Sequence, residues 1–81
     1  MKIKVLFFAR LREIFGESCR FVEVPEGSCV GEVAERLVEE CDEPALKEIP
    51  LIFAVNENFE SCNRKLKDQD QLALMTPMSG G

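Results

Sequence analysis

The sequence predicts one α+β domain, a mixed sheet of four to five strands over a single main helix. Three observations carry this expectation. A chain of 81 residues, 46% hydrophobic and 31% charged, has room for one core and none for a second beside it. Val30, Val33, Ala34, Leu37, Val38 and Cys41 fall at offsets 0, 3, 4, 7, 8 and 11, the stripe of one amphipathic helix. Around it stand KIKVLFFA, SCRFVEV, LIFAV and LALM, short runs with the length and composition of strands. Burying the helix stripe against a sheet is the economical architecture at this size.

The elements follow in chain order. In KIKVLFFA, Ile3, Val5 and Phe7 alternate with Lys2, Lys4, Leu6 and Phe8, the period of a strand with one buried face. RLREIFG allows a short helical turn that Gly16 ends, because glycine takes the left-handed conformation without a Cβ penalty. SCRFVEV is a second strand, forming a hairpin with the first and closed by the Pro25-Glu26-Gly27 turn. The main helix starts at Val30, capped either by Ser28 or by Cys29 with Glu32 three residues on. Pro44 and Pro50 bracket a loop with room for one helical turn. LIFAV, residues 51–55, reads as a doubly covered central strand. Asn56-Glu57-Asn58 is a turn, residues 59–67 are a polar connection with at most one brief strand, and LALM is the last strand. The order is β-β-α-β-β followed by a tail over residues 76–81.

Composition excludes whole classes of function. Histidine is absent, which removes imidazole acid-base chemistry, Ser-His and Cys-His nucleophiles and imidazole metal ligation. Ten Lys and Arg against fifteen Asp and Glu leave a net charge of -5, without the cationic field that nucleic acids or anionic membranes attract. The excess is local: Glu32 to Glu48 holds seven acids and two bases. It reads as the solvated face of the main helix, with a docking face for a basic partner as the alternative. No run reaches the roughly 18 apolar residues that span a bilayer, and a cytoplasmic chain is expected. Four cysteines with neither C-x-x-C spacing nor histidine are expected to be reduced packing residues rather than a zinc site.

The end of the chain is the most informative segment. QLALMTPMSGG carries no ionisable side chain, so its only reactive group is the terminal carboxylate. Gly80 and Gly81 lack a Cβ and suit a channel too narrow for side chains. Pro77 stiffens the base of a tail that can reach about 17 Å. A carboxylate with a pKa of about 3.3–3.7 is ionised and a poor acylating group. Activation to an acyl-adenylate by an ATP-using enzyme, then displacement by a sulfur nucleophile or an amine, would make the terminus the reagent and the fold its handle.

KVLFFARLREIFG, the PEGS turn before the acidic helix, FAVNEN, LKDQDQLALMTP and the terminal Gly-Gly together resemble the small subunit of molybdopterin synthase, a sulfur-carrier family with the β-grasp, ubiquitin-like fold. The resemblance runs over essentially the whole chain. It implies that Gly81 is adenylated at the expense of ATP by an E1-like enzyme and thiocarboxylated from a sulfur donor. The tail then enters the large synthase subunit of a heterotetramer, where the sulfur passes to a pterin precursor. The carrier itself would be a non-catalytic subunit, with no stably bound cofactor and no metal. Gly80 would be the thin residue before the reacting one, while Phe7, Met75, Pro77 and Met78 would grip the partners. Phe7 also alternates with the inward set of the first strand, which leaves a core role open. Two departures stand out: Asp68-Gln69-Asp70 where the family usually has Asp-Gly-Asp, and Met75-Thr76 where aromatic residues often precede the proline. The alternatives are a thiamine-pathway sulfur carrier, a ubiquitin-like modifier joined to lysines through Gly81, and a β-grasp module without a reactive terminus.

Overall fold

A computed structural model describes residues 1–77. Its elements are β1 (Lys2–Phe7), α1 (Arg10–Phe15), β2 (Cys19–Glu23), α2 (Val30–Glu40), a 3-10 turn (Pro44–Glu48), β3 (Ile52–Val55), β4 (Asn58–Glu60) and β5 (Gln71–Met75). The sheet runs β2-β1-β5-β3-β4. β1 and β5 are parallel, and the other neighbours are antiparallel. The inner face presents Ile3, Val5, Phe7, Leu72, Leu74 and Val55 to Val30, Val33, Ala34 and Leu37 of α2, all of them buried. The period of two in β1 and the helical stripe of α2 thus meet in one core.

The central strand is β5, not the expected LIFAV. β3 lies one strand from the edge and Ile52 is 37% exposed. The run is continuously apolar because its inner residues join the core while its outer ones belong to an open apolar face. β1 and β2 do pair antiparallel, from Lys2 opposite Glu23 to Leu6 opposite Cys19, with α1 in their connection. Gly16 ends α1 at φ 78° and donates its N–H to the Arg12 carbonyl at 2.9 Å.

The start of α2 shows how a weak cap is compensated. Cys29 is the cap, and its N–H donates to Glu32 Oε1 at 3.2 Å. Hydrogen bonds from the Cys29 side chain and backbone hold the Glu32 carboxyl below its ordinary range. Ser28 is instead buried, its hydroxyl donating to the Pro25 carbonyl at 2.7 Å. The first helical N–H groups have no partner within the helix, so those of Val30 and Gly31 donate to the carbonyls of Arg64 and Cys62, both at 2.9 Å. Gly31 permits this approach, since a Cβ there would lie 3.0 Å from Cys62 Cβ and 3.2 Å from its carbonyl oxygen.

Two turns lock the far end of the sheet. Asn56 and Glu57, at φ 49° and 71°, join β3 to β4 in the left-handed conformation of a tight hairpin. Asn56 donates through Nδ2 to Asp70 Oδ1 at 2.9 Å and accepts from the Gln71 N–H at 3.0 Å. Buried Asp70 also accepts from the Lys67 N–H at 2.8 Å. The cysteines are free thiols, but none is fully buried: Cys19, Cys29 and Cys41 are half-buried and Cys62 is exposed. They stand at the ends of elements, where packing on all sides is not available. No helix among the described residues is long and apolar enough to cross a membrane.

Candidate docking face and tail root

Register determines what the sheet shows on the side away from α2. Leu6 pairs with Cys19 and with Ala73, Ala73 with Ala54, and Ala54 with Phe59. These residues therefore form one row across all five strands. Toward the end of β5 the next row holds Met75 opposite Ile52, with Phe8 beyond the end of β1, where its N–H reaches the Leu74 carbonyl at 3.4 Å. The small Ala54 and Ala73 make a flat floor. Around it, Phe59 is 78% exposed, Phe8 41% and Ile52 37%. No ionisable side chain other than the Cys19 thiol stands in these two rows. A contiguous apolar face of this kind marks a surface that another protein covers.

Charge returns in the two rows farther from the tail, where Lys4 pairs with Phe21 and Lys2 with Glu23. There the Lys2 and Lys4 ammonium groups lie 5.6 and 6.0 Å from the centre of the Phe21 ring. The acidic excess of residues 32–48 lies mainly on α2, on the opposite side of the sheet. Toward the tail the outer face therefore offers shape and apolar area.

The expected grip by Phe7 is overturned. Phe7 is 1% exposed, in the core, and stacks on Phe15 with ring centres 4.3 Å apart. The Arg20 guanidinium lies 5.8 and 5.7 Å from the two ring centres and is itself paired with Glu17 at 2.6 Å. The alternation that sends Ile3, Val5 and Phe7 inward sends Phe8 outward. That alternation was the signal in the sequence that could have selected Phe8. Phe59 carried no comparable signal, because β4 is only three residues long. Met75 is half-buried at the end of β5 and Pro77 is exposed just beyond it, so both lie at the root of the tail. Met78, Gly80 and Gly81 lie outside the described residues.

Phe8 is presented by an unusual corner. The Leu11 N–H donates to the Phe8 carbonyl at 3.0 Å, and Ala9 between them has φ 51° and ψ -123°. This is the first central position of a type II′ turn, which ordinarily takes glycine. Through it the chain leaves β1 and enters α1 at once, with Phe8 kept on the outer face.

Comparison with known proteins adds to this geometry. The ThiS family model matches residues 5–81. The chain belongs to the ThiS family. A relative in Arabidopsis thaliana named molybdopterin synthase sulfur carrier subunit is 34% identical over 83 aligned residues, covering 100% of this chain and 84% of its own. Among solved structures, the putative molybdopterin converting factor subunit 1 of Pyrococcus furiosus is similar at a TM-score of 0.84 and 28% identity, covering 96% of this chain and 99% of its own. A complex of subunits 1 and 2 of the molybdopterin-converting factor of Helicobacter pylori matches at a TM-score of 0.67 and 27% identity, over 100% of both chains. The ThiS family match thus agrees with the ubiquitin-like β-grasp topology traced above, and it extends through the residues of the tail.

Proposed function

We propose that this chain is the sulfur carrier subunit of a molybdopterin synthase, working in the cytoplasm. The observation that carries the reading is the end-to-end similarity to proteins of that name, joined to an apolar sheet face that runs up to the root of a Gly-Gly tail. In this reading the face formed by Phe8, Ile52, Phe59 and Met75 docks on the large subunit, and Pro77 and Met78 direct the tail into it. Gly80 leaves the entry channel free of side chains.

The chemistry belongs to Gly81. Its carboxylate attacks ATP on an E1-like activating enzyme, forming the glycyl-adenylate and releasing pyrophosphate. A sulfur donor then displaces AMP to leave a thiocarboxylate. In the large subunit the sulfur passes to the pterin precursor, and water supplies the oxygen that returns the terminus to a carboxylate as the C–S bond breaks. ATP is consumed by the activating enzyme and nothing is held permanently by the carrier. The absence of histidine suits a protein whose reacting group is its own terminus.

Intact mass spectrometry of the full chain with ATP, an activating enzyme of this family and a sulfur source tests the proposal. A mass gain equal to exchange of one oxygen for sulfur at Gly81 is expected, together with no exchange in a chain lacking Gly81 that still folds. Lysine-linked adducts without thiocarboxylate would instead make the chain a protein modifier.

A further inference from the structure

On the helix side of the sheet, away from the docking face, α2 faces the segment that leads from the 3-10 turn into β3. Between them lies an open groove of about 540 Å³. Val38, Ile49, Leu51 and Phe53 line it and are half-buried: they pack against the core yet keep apolar surface in the groove. Glu35 and Glu39, both exposed and one helical turn apart, form one rim, and Lys47 stands on the other. The lining along α2 runs from Gly31 to Glu39, about 12 Å at the helical rise, or two turns.

We propose that this groove receives an amphipathic helix of a partner protein. Its apolar stripe fills the floor, and its Lys or Arg residues, spaced four apart, face Glu35 and Glu39. Charge selects this occupant. Residues 32–48 hold seven acids and two bases, and Arg36 is engaged by Glu40 at 3.4 Å. The field over the groove is therefore negative and disfavours acidic segments, nucleic acid and anionic lipid alike. The i, i+4 spacing of the two rim carboxylates matches the spacing of side chains on one face of an approaching helix, and a two-turn apolar trough is the standard receptor for such a stripe. Lys47 on the opposite rim gives the groove a polarity that fixes the orientation of the guest. Because the groove and the sheet face lie on opposite sides, the carrier can hold this partner while its tail is engaged elsewhere. The inference stands independently of the chemistry assigned to Gly81.

The test is titration of the ¹⁵N-labelled full chain with a helical peptide bearing a leucine stripe and two lysines four residues apart, and with its twin in which glutamates replace the lysines. The lysine peptide is expected to shift the amides of Ala34, Val38, Ile49, Leu51 and Phe53 saturably. The exposed double variant Glu35→Gln, Glu39→Gln should weaken it about tenfold, and the glutamate twin should bind more weakly still. Equal binding of the two peptides, shifts centred on Phe8 and Phe59, or no shifts would overturn the proposal. So would a concentration-dependent dimer abolished by the double variant, which would give the groove to a second copy of the chain.

Discussion

Gln69 sits between Asp68 and Asp70 at φ 72°, a conformation that a Cβ makes unfavourable by about 1–2 kcal/mol. It is held there because its N–H donates to the Lys2 carbonyl at 2.8 Å, tying the turn to the start of β1. Gln69→Gly removes the strain but adds backbone freedom to the unfolded chain, a loss of about 0.5–1 kcal/mol. The net expectation is a gain of about 0.5–1 kcal/mol and a melting temperature a few degrees higher. Thermal denaturation checks it, and a lower melting temperature would mean that the turn needs the glutamine side chain. Phe7 and Phe8 separate in the same way by environment. Phe7→Ala empties a core position and is expected to remove about 3–5 kcal/mol, a large share of the roughly 4–12 kcal/mol typical of a domain this size. Phe8→Ala should leave folding nearly intact and weaken large-subunit binding about tenfold or more. Urea denaturation and a binding titration on both variants decide the matter, and equal effects of the two on folding would refute the assignment of faces.

At the scale of elements, the β4–β5 connection carries more of the fold than its polar sequence suggests. It caps α2 through the Cys62 and Arg64 carbonyls and anchors β1 through Asp68, whose Oδ1 accepts from the Lys2 N–H at 2.7 Å. That hydrogen bond holds the Asp68 carboxyl below its ordinary range. A depressed folded pKa means that the contribution is present above the unfolded value, about pH 4, and is lost as pH falls through the folded value. Asp68→Asn should therefore flatten the acid limb of the stability curve below about pH 4 while leaving the slope near neutrality unchanged. Urea denaturation from neutrality into acid measures this, and parallel acid limbs in the two proteins would disprove it. The elements legible in the sequence were those with a local signature: the stripe of α2, the alternation of β1, Gly16, and the turn at Asn56. Sheet order was not legible, because the parallel pairing of β1 with β5 joins the two ends of the chain and leaves no mark in a local window. A local window therefore puts LIFAV at the centre that β5 occupies. The tail proposed to react is legible in the Gly-Gly ending and its uncharged approach, whereas the face beside it depends on which strands become neighbours. Phe59 joins it only through the register of β4 on β3.

The whole molecule is two-sided: acidic on the helix side, apolar and free of carboxylates over the middle of the sheet. If the proposed large-subunit partner docks on the sheet, its affinity should follow apolar area on that face and be nearly blind to charge on the other. Phe59 is the sharpest probe, because at 78% exposure its removal takes almost nothing from the core. Phe59→Ser is expected to leave the melting temperature within a degree or two and to weaken binding about tenfold, the scale of an aromatic anchor. Glu35→Lys with Glu39→Lys reverses four charge units on α2, yet it should change that affinity by about twofold at most in 0.15 M salt, where the screening length of about 8 Å is shorter than the span across the sheet and helix layers. Isothermal titration with the large subunit reads both variants. If the charge reversal abolishes binding while Phe59→Ser is silent, the docking surface is the helix face, and the assignment of the sheet fails with it. The opposite pattern would leave the acidic side available to a second partner while sulfur is being delivered.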